Sequence, residues 1–251
     1  MATNSLEINL PESVGKTFSY SEIDSTQLEA KRKIALNYPV PFIVIAQSQT
    51  AGIGRFQRQW YSPRGGIYFT LAMESIKNPA VTLVAGITLV EILKNLFPEN
   101  KLILKWPNDI LADGRKVCGI LCEAGTDAGG EGFIVAGVGV NVSQTARDFP
   151  PELRRTATSL LIAAGKVYSR ETLLDLILRR TEVYYHRLLA QGAGWIAGEW
   201  EARAGIAGKA VTVTVGRRRL RGVCAGLQLD GAMRLKLTSG EFRAVYSGEV
   251  E

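Results

Sequence analysis

The clearest chemical signal in the chain is the stretch AGIGRFQRQW at residues 51–60. Gly52 and Gly54 let backbone N–H groups approach a ligand closely. Arg55 and Arg58 carry permanent positive charge on forked side chains that suit carboxylate and phosphate groups. An ordinary surface turn with two solvated arginines has the same composition, so this stretch alone leaves anion binding and a plain turn both open.

A second group of polar side chains follows a short apolar strand, where residues 105–109 read Lys-Trp-Pro-Asn-Asp. Asn108 and Asp109 offer an amide and a carboxylate, which suit metal-bound phosphate or an amine. Lys105 and Lys116 add compact positive charge. A capped turn that leads into a hairpin is equally compatible with these residues, and the motif alone does not decide between the two interpretations.

Two shorter motifs contain further candidate contacts. Residues 24–27 read Asp-Ser-Thr-Gln before a helical stretch, so Ser25 and Thr26 either cap the helix or donate hydroxyls to a polar ligand. Taken alone, capping is the favoured interpretation. Residues 137–141 read Gly-Val-Gly-Val-Asn at the end of an apolar strand, and glycines inside a strand indicate close approach by a ligand or another backbone.

Composition limits the class of protein. The 251 residues carry a net charge of +6, which permits anionic ligands or an acidic partner without demanding nucleic acid. No apolar run approaches the ~20 residues of a membrane helix, and the N-terminus lacks a secretory pattern. Cys118, Cys122 and Cys224 are expected to be buried thiols, because structural zinc needs four ligands and the only histidine, His186, falls in a helical stretch. These features predict a cytoplasmic protein.

Short apolar strands and helices alternate through most of the chain. Strands are predicted at residues 42–46, 66–73, 102–105, 117–122 and 132–141, the last two joined by a turn at 127–130. Helices are predicted at 81–97, 170–191 and 195–203, and the second has an apolar stripe of Leu173, Leu174, Ile177, Thr181, Tyr184 and Leu188. The pattern predicts an α+β fold in which helices cover a mixed β-sheet.

The C-terminal part of the chain has a different character. Residues 209–215 and 233–238 alternate between apolar and polar side chains, and Asp-Gly and Ser-Gly pairs mark tight turns. Short strands without a helix predict a small β-barrel, so we divide the chain into domains at 1–204 and 205–251. The basic run at 216–222 is either a solvated hairpin tip or a rim that attracts acidic groups, and it lacks the interleaved aromatics of a nucleic-acid surface.

The motifs occur together in the order found in biotin protein ligases, and the chain resembles that family from near Phe18 to its end. They are Asp-Ser-Thr at 24–26, Gln-x-x-Gly-x-Gly-Arg-x-x-x-x-Trp at 49–60, Lys-Trp-Pro-Asn-Asp at 105–109, Lys-x-x-Gly-Ile-Leu at 116–121 and Gly-x-Gly-x-Asn at 137–141. The resemblance implies a sheet of the class II synthetase type followed by an SH3-like β-barrel. It also implies the short class of the family, without an N-terminal DNA-binding domain.

The resemblance further implies an ATP-dependent ligase that uses biotin, ATP and Mg²⁺. Biotin becomes biotinyl-5′-AMP and is then transferred to a lysine of a biotin carboxyl carrier protein, an acidic partner that suits the basic net charge. Binding to DNA or to a membrane is not expected, and a homodimer is compatible with the family. The alternatives are a lipoate or octanoate transferase of the related fold and a non-enzymatic module that binds a nucleotide or an acidic protein.

The resemblance carries over to individual residues. The implied catalytic residues are Arg55, Lys105, Asp109 and Lys116, with Asp109 also the candidate base and the candidate contact to Mg²⁺ through phosphate. The residues at implied binding positions are Ser25, Thr26, Gln27, Gln49, Gly52, Ile53, Gly54, Arg55, Arg58, Trp60, Asn108, Lys116, Gly119, Gly139 and Asn141.

Two positions depart from the family pattern. Gln27 stands where the family usually has asparagine, beside Ser25 and Thr26, which with Gln49 match contacts to the ureido head of biotin. Ile53 stands where many members have arginine, so the loop has one positive charge fewer. We expect this second difference to loosen retention of the adenylate intermediate.

Overall fold

The computed structural model describes residues 15–75, 80–96 and 102–251. The first part of the chain forms the strands β1 (Lys16–Tyr20), β2 (Phe42–Ala46), β3 (Ile67–Glu74), β4 (Leu102–Lys105), β5 (Asp109–Ala112), β6 (Arg115–Thr126) and β7 (Gly132–Val140). The helices are α1 (Thr26–Ala35), α2 (Val81–Lys94), α3 (Leu160–Ala164), α4 (Arg170–Gln191) and α5 (Ile196–Ala204). The last strands are β8 (Ala210–Val215), β9 (Arg218–Leu227), β10 (Met233–Leu237), β11 (Phe242–Val245) and β12 (Glu249–Val250).

The first seven strands form one mixed sheet in the order β1-β2-β3-β7-β6-β5-β4. Strands β1 and β2 are parallel, and the other neighbours are antiparallel. Helices cover both faces, which explains why β2 is apolar at every position. Phe42 and Val44 pack in a cluster with Ala30 of α1, whereas Ile43 and Ile45 belong to the cluster that contains α2 and α4. The predicted α+β fold with a mixed sheet is confirmed.

The helices follow the predicted periodicity closely. Helix α4 has the predicted bounds, because Ser169 caps its first turn and Gly192 follows its last residue. Its buried face matches the predicted stripe except that Thr181 is only half-buried and Leu178 is buried instead. Helix α2 ends at Lys94, short of its predicted end, because residues 95 and 96 form a turn; residue 97 lies outside the described residues. Among the helices described, none is both long and apolar enough to cross a membrane.

The second sheet is antiparallel, with the strand order β11-β10-β9-β8-β12. Its tight turns lie at the predicted Gly231 and Gly240, whose φ values of 85° and 89° favour glycine. Helix α5 ends at Ala204, and Gly205 adopts a left-handed conformation immediately after it. Closure of this sheet into an SH3-like barrel and the domain division after residue 204 stay predictions.

The second sheet packs against the first part of the chain next to the Lys-Trp-Pro-Asn-Asp motif. Trp106 Nε1 donates a hydrogen bond to the Gly231 carbonyl at 3.3 Å. A Cβ at Gly231 would lie 3.2 Å from atoms of Ala80 and of Leu83, so this turn approaches α2 closely. The Glu201 carboxylate accepts a hydrogen bond from the Leu227 N–H. These contacts hold the C-terminal strands in a defined position beside the motif.

Candidate functional site

A cavity of about 350 Å³ brings the predicted motifs together. Its volume falls within the usual range of small-molecule sites. The walls come from the start of α1, the loop after β2, the β4–β5 connection, strands β6 and β7, and the last strand, β12. The predicted site residues that line it are Ser25, Thr26, Gln27, Gln49, Ile53, Gly54, Arg55, Arg58, Trp60, Lys105, Asn108, Asp109, Lys116, Gly119, Gly139 and Asn141.

Gly52 is the predicted site residue that does not line the cavity. It is buried behind the wall, where a Cβ would lie 2.5 Å from the Trp60 carbonyl oxygen and 2.8 Å from Ser62 Oγ. Glycine at this position therefore allows two backbone segments to approach each other, which is a different use from direct ligand contact.

The loop after β2 is a narrow hairpin with a strained tip. The Gly54 N–H donates to the Arg58 carbonyl at 2.7 Å, which closes the tip. Phe56 and Gln57 both have left-handed φ values, of 57° and 59°. Such values cost free energy in residues that carry a side chain and concentrate at functional sites. The loop is therefore a defined structural feature and not a plain solvated turn.

Arg55 points from this loop into the cavity wall. Its Nη1 donates to Asn108 Oδ1 and to the Gly248 carbonyl, each at 3.3 Å. Burial lowers the pKa of the Arg55 guanidinium, while the nearby carboxylates Asp109 and Glu249 act in the opposite direction. An arginine remains a cation at neutral pH even so. The solvated arginine considered from the sequence alone is therefore wrong for Arg55, whereas Arg58 is exposed.

Lys116 and Asp109 form an ion pair beside the loop. The Lys116 Nζ lies 2.7 Å from Asp109 Oδ1 and 5.0 Å from the centroid of the Trp60 ring. Lys105 lies directly across the β4–β5 ladder from Asp109. The side chains of Lys116 and Asp109 are about a third and a quarter exposed, so an incoming anion can reach them. A phosphate group that binds Lys116 would compete with the Asp109 carboxylate for the same ammonium group.

Glycines form the floor of the cavity. Gly119 and Gly139 face each other across strands β6 and β7. A Cβ at Gly119 would lie 2.8 Å from the Trp60 ring, and one at Gly139 would lie 2.3 Å from Trp60 Nε1. Trp60 therefore lies directly against this floor. Because the floor has no side chains, a planar group could take the place of the ring.

The opposite end of the cavity is lined by neutral polar groups that bond to one another. Gln49 Oε1 accepts from the Thr26 N–H at 2.8 Å and from Thr26 Oγ1 at 3.1 Å. Gln49 Nε2 donates to Ser62 Oγ at 2.8 Å, and Thr70 Oγ1 donates to Thr26 Oγ1 at 2.9 Å. Ser25 caps α1 by accepting from the Leu28 N–H at 3.4 Å. Ser25 therefore caps α1 and also lines the cavity.

Asn141 brings an unsatisfied acceptor to the cavity. The residue is 3% exposed, and its Nδ2 donates to the Thr158 carbonyl at 3.0 Å. Its Oδ1 is buried and has no hydrogen-bond partner among the described residues. A buried carbonyl oxygen without a partner costs free energy, so this atom favours a ligand that supplies a donor or a cation.

The sequence did not identify two segments that complete the cavity. Phe149 and Leu153 line it from the stretch before α3, and Gly248, Glu249 and Val250 line it from the C-terminal strand. Glu249 also forms an ion pair with Arg58 of the loop. The final residues, Ser-Gly-Glu-Val-Glu, show no local pattern that indicates a site. The pairing of β12 with β8 brings them to the cavity.

The basic run at residues 216–222 forms the exposed end of the β8–β9 hairpin. Arg219 makes an ion pair with Glu251 at 2.6 Å. Since β8 also pairs with β12, the hairpin lies next to the strand that lines the cavity. Both interpretations made from the sequence, a solvated tip and a basic rim, are compatible with this position.

The comparisons with known proteins all lead to one group. The sequence model of the Biotin/lipoate A/B protein ligase family matches residues 20–141. The chain is 32% identical to the bifunctional ligase/repressor BirA of Bacillus subtilis over 96% of its own length and 75% of that protein. It is 30% identical to the biotin–[acetyl-CoA-carboxylase] ligase of Paracoccus denitrificans, over 86% and 92% of the two chains. The solved biotin protein ligase of Aquifex aeolicus in complex with biotin and ATP superposes with a TM-score of 0.80 at 28% identity, covering 94% and 98%.

Proposed function

The chain belongs to the biotin protein ligases of the biotin/lipoate A/B protein ligase family, and we propose that its cavity is where biotin is activated and transferred. The protein is an ATP-dependent biotin ligase that forms biotinyl-5′-AMP and passes the biotinyl group to a protein lysine. The roles of individual residues in the two steps are part of the proposal.

The observation that carries the proposal is the convergence of Arg55, Lys105 and Lys116 from separate segments on one cavity. A carboxylate oxygen of biotin must attack the α-phosphorus of ATP, so two anions must meet. Fixed cations in a partly buried site offset this repulsion and stabilise the charge that develops. The attack forms the acyl–phosphate bond and breaks the bond to the bridging oxygen, so pyrophosphate leaves and biotinyl-5′-AMP remains.

The second step needs a neutral amine. The ε-amine of the target lysine attacks the acyl carbon of the adenylate, the acyl–oxygen bond breaks, and AMP leaves. We propose that Asp109 orients this amine or takes its proton. The ion pair between Asp109 and Lys116 supports this role, because a phosphate group bound to Lys116 would release the carboxylate for a new partner.

The two ends of the cavity suit the two ends of biotinyl-5′-AMP. We propose that Ser25, Thr26 and Gln49 hold the ureido head, because neutral hydroxyl and amide groups match a neutral ring. The glycine floor beneath Trp60 suits the nucleotide. The loop that carries Arg55 would then cover the mixed anhydride and exclude water.

Mg²⁺ fits the oxygen donors at the charged end. Asp109 and Asn141 both line the cavity, and the buried Oδ1 of Asn141 has no hydrogen-bond partner among the described residues. Mg²⁺ prefers hard oxygen ligands such as these. We propose that these two residues and Asn108 hold the ion, in part through the phosphates of ATP. Bound there, it would neutralise charge on the departing pyrophosphate.

The proposed protein substrate is an acidic carrier domain of a biotin-dependent carboxylase. The relative from Paracoccus denitrificans is named for acetyl-CoA carboxylase, and the net charge of +6 favours an acidic partner. We further propose that residues 1–204 form the catalytic domain and residues 205–251 an SH3-like barrel that completes the cavity wall through β12.

Biotin-dependent exchange of labelled pyrophosphate into ATP by the full chain tests the proposed function. We expect exchange with biotin and none with lipoate or without an acid substrate. Exchange with lipoate and not with biotin would replace the proposal by the related lipoate chemistry. Absence of exchange with both acids would contradict an enzymatic role for the cavity.

A further inference from the structure

The neutral end of the cavity continues through Gln27 to a charged residue behind it. Gln27 is 3% exposed, lies in the first turn of α1 and lines the cavity. Its Nε2 donates to Glu123 Oε2 at 2.8 Å, and the carbonyls of Leu121 and Val135 lie 3.5 and 3.4 Å from the same nitrogen. Glu123 lies on β6 and does not itself line the cavity. The amide therefore connects the cavity to a second layer of polar groups.

Glu123 determines which way the Gln27 amide faces. An ionised carboxylate and two carbonyls can only accept hydrogen bonds, so the amide nitrogen must face them and Oε1 must face away. Burial alone would raise the pKa of Glu123, but hydrogen bonds from Lys31 and Gln27 hold that pKa below its ordinary value. The Glu123 carboxylate is therefore ionised at neutral pH, and Lys31 lies 2.8 Å from it on the outer side.

The oxygen of Gln27 faces the cavity floor with spare accepting capacity. It would lie 2.5 Å from a Cβ at Gly137, a glycine that also lines the cavity. Thr70 Oγ1 lies 3.2 Å from this oxygen but is nearer to Thr26 Oγ1, at 2.9 Å. Because a hydroxyl has one proton, Thr70 donates it to Thr26, and the Gln27 oxygen stays available as an acceptor. The Gln49 oxygen, in contrast, already accepts from both donors of Thr26. Gln27 Oε1 is thus the better-placed acceptor for a ligand N–H.

We propose that Gln27 Oε1 accepts a ureido N–H of biotin and that Glu123 is the positioning residue that keeps this oxygen toward the cavity. The inference rests on the proposed function, because it needs biotin at this end of the cavity. It specifies the atom by which Gln27, already at an implied binding position, contacts the ligand. It also assigns a role to a carboxylate that never contacts the substrate.

The variant Glu123→Leu tests the positioning role. Without the carboxylate, only the long contacts to the Leu121 and Val135 carbonyls, at 3.5 and 3.4 Å, still favour the present orientation. The Gln27 amide can then turn its NH₂ group toward the ureido N–H, and a favourable contact becomes an unfavourable one. We expect the KM for biotin in pyrophosphate exchange to rise about tenfold, with kcat and the KM for ATP changed less than about twofold. We also expect the variant to lose the parent's discrimination between biotin and biotin N-methylated on its ureido ring. If Glu123 only stabilised the fold, the ratio of the KM values for biotin and its N-methylated analogue would not change.

Two further variants serve as control and rescue. Lys31→Met removes the outer ion pair and leaves the hydrogen bond between Glu123 and Gln27, so we expect a change in biotin KM below about twofold, as for exposed pairs. Gln27→Glu alone places two carboxylates together and should weaken biotin binding. Combined with Glu123→Gln, it restores one amide–carboxylate hydrogen bond and returns an acceptor oxygen to the cavity. The double variant should recover much of the parental KM.

The outcomes separate this inference from the proposed function. Absence of biotin-dependent exchange in the parent contradicts the proposed function itself. An active parent with an unchanged biotin KM and an unchanged analogue ratio in Glu123→Leu overturns the positioning role alone. If circular dichroism shows that Glu123→Leu is unfolded, Glu123→Gln decides. The amide introduced by Glu123→Gln can pair with either orientation of Gln27. A rise in the KM for biotin of about two- to fivefold therefore supports the positioning role of Glu123, and a parental KM overturns it.

Discussion

The two ends of the cavity are built in opposite ways. At one end, Arg55, Lys105 and Lys116 bring permanent charge to the wall, and their partners include a carboxylate that a ligand can displace. At the other end, Thr26 and Gln49 are neutral and bond to each other. Charge is most useful where charge develops during a reaction, and fixed neutral groups are most useful where a neutral ring must be recognised. The charged end of the cavity is therefore suited to the chemical steps, and the neutral end to recognition of the ring.

This division predicts different kinetic signatures for variants at the two ends. A residue that acts mainly in the transition state lowers kcat, whereas one that binds ground state and transition state alike raises KM with kcat unchanged. A variant at the charged end that changes only KM, or one at the neutral end that changes only kcat, would contradict the comparison.

Removing the ammonium group at the charged end should have the largest effect. For Lys116→Ala we expect kcat of pyrophosphate exchange to fall by about 10²–10³-fold, because one preformed stabiliser of the transition state is lost. Steady-state exchange at saturating biotin and ATP measures this. Lys166→Ala, which changes an exposed lysine after α3, is the matched control and should behave as the parent. Parental exchange in Lys116→Ala would remove Lys116 from the chemistry.

Removing one hydroxyl at the neutral end should affect affinity. Thr26→Val deletes the group that donates to Gln49 and accepts from Thr70 while nearly preserving shape. We expect the KM for biotin to rise by about 10- to 100-fold with kcat within about twofold, because the ureido head loses a hydrogen bond and the Gln49 amide loses a partner that fixes its orientation. Thr214→Val on β8 is the control. A fall in kcat at unchanged KM would show that the neutral end takes part in the chemistry.

The loop arginine should mainly affect retention of the intermediate. Arg55→Gly removes hydrogen bonds to Asn108 and to the Gly248 carbonyl, so we expect biotinyl-5′-AMP to form but to leave about tenfold faster, the scale of a hydrogen bond to a charged group. Release of labelled adenylate and biotinylation of bystander lysines measure the leak. Arg55→Lys keeps the positive charge but loses the forked set of hydrogen-bond donors. It should release the adenylate at a rate between those of the parent and Arg55→Gly. A glycine variant that holds the adenylate as long as the parent would contradict the role.

The ion pair between Glu249 and Arg58 should contribute least to retention of the adenylate. Glu249→Gln weakens the exposed contact with Arg58, and such pairs are worth at most ~1 kcal/mol, so adenylate release should accelerate by less than about fivefold. Glu241→Gln, at an ion pair on the same sheet that does not line the cavity, is the matched control. The effect should shrink at high salt, since exposed charges are screened. Equal behaviour of the two variants would show that this contact does not hold the loop.

Local patterns predicted most of the elements because each depends on its own residues. The unbroken apolar run of β2, the stripe of α4 and the tight turns at Gly231 and Gly240 all occur where the sequence places them. The sequence analysis missed β1, β5 and α3, which are only four or five residues long and depend on their neighbours. Other errors were at element ends and at single positions such as Thr181, where neighbouring elements decide burial. The motifs likewise indicated the residues that now line one cavity, because their types and spacing match a known family.

Tertiary structure alone decided how these residues work together. Trp60 lies on the glycine floor, Glu249 reaches the loop from the far end of the chain, and Glu123 orients Gln27 from behind the wall. No local pattern could predict these contacts, because each depends on strand pairing or packing between segments far apart in sequence. The sequence by itself therefore determined which chemical groups are present and on which elements they lie. The packing of those elements decided which groups meet, since a hydrogen bond or an ion pair requires its two partners within a few ångströms of each other.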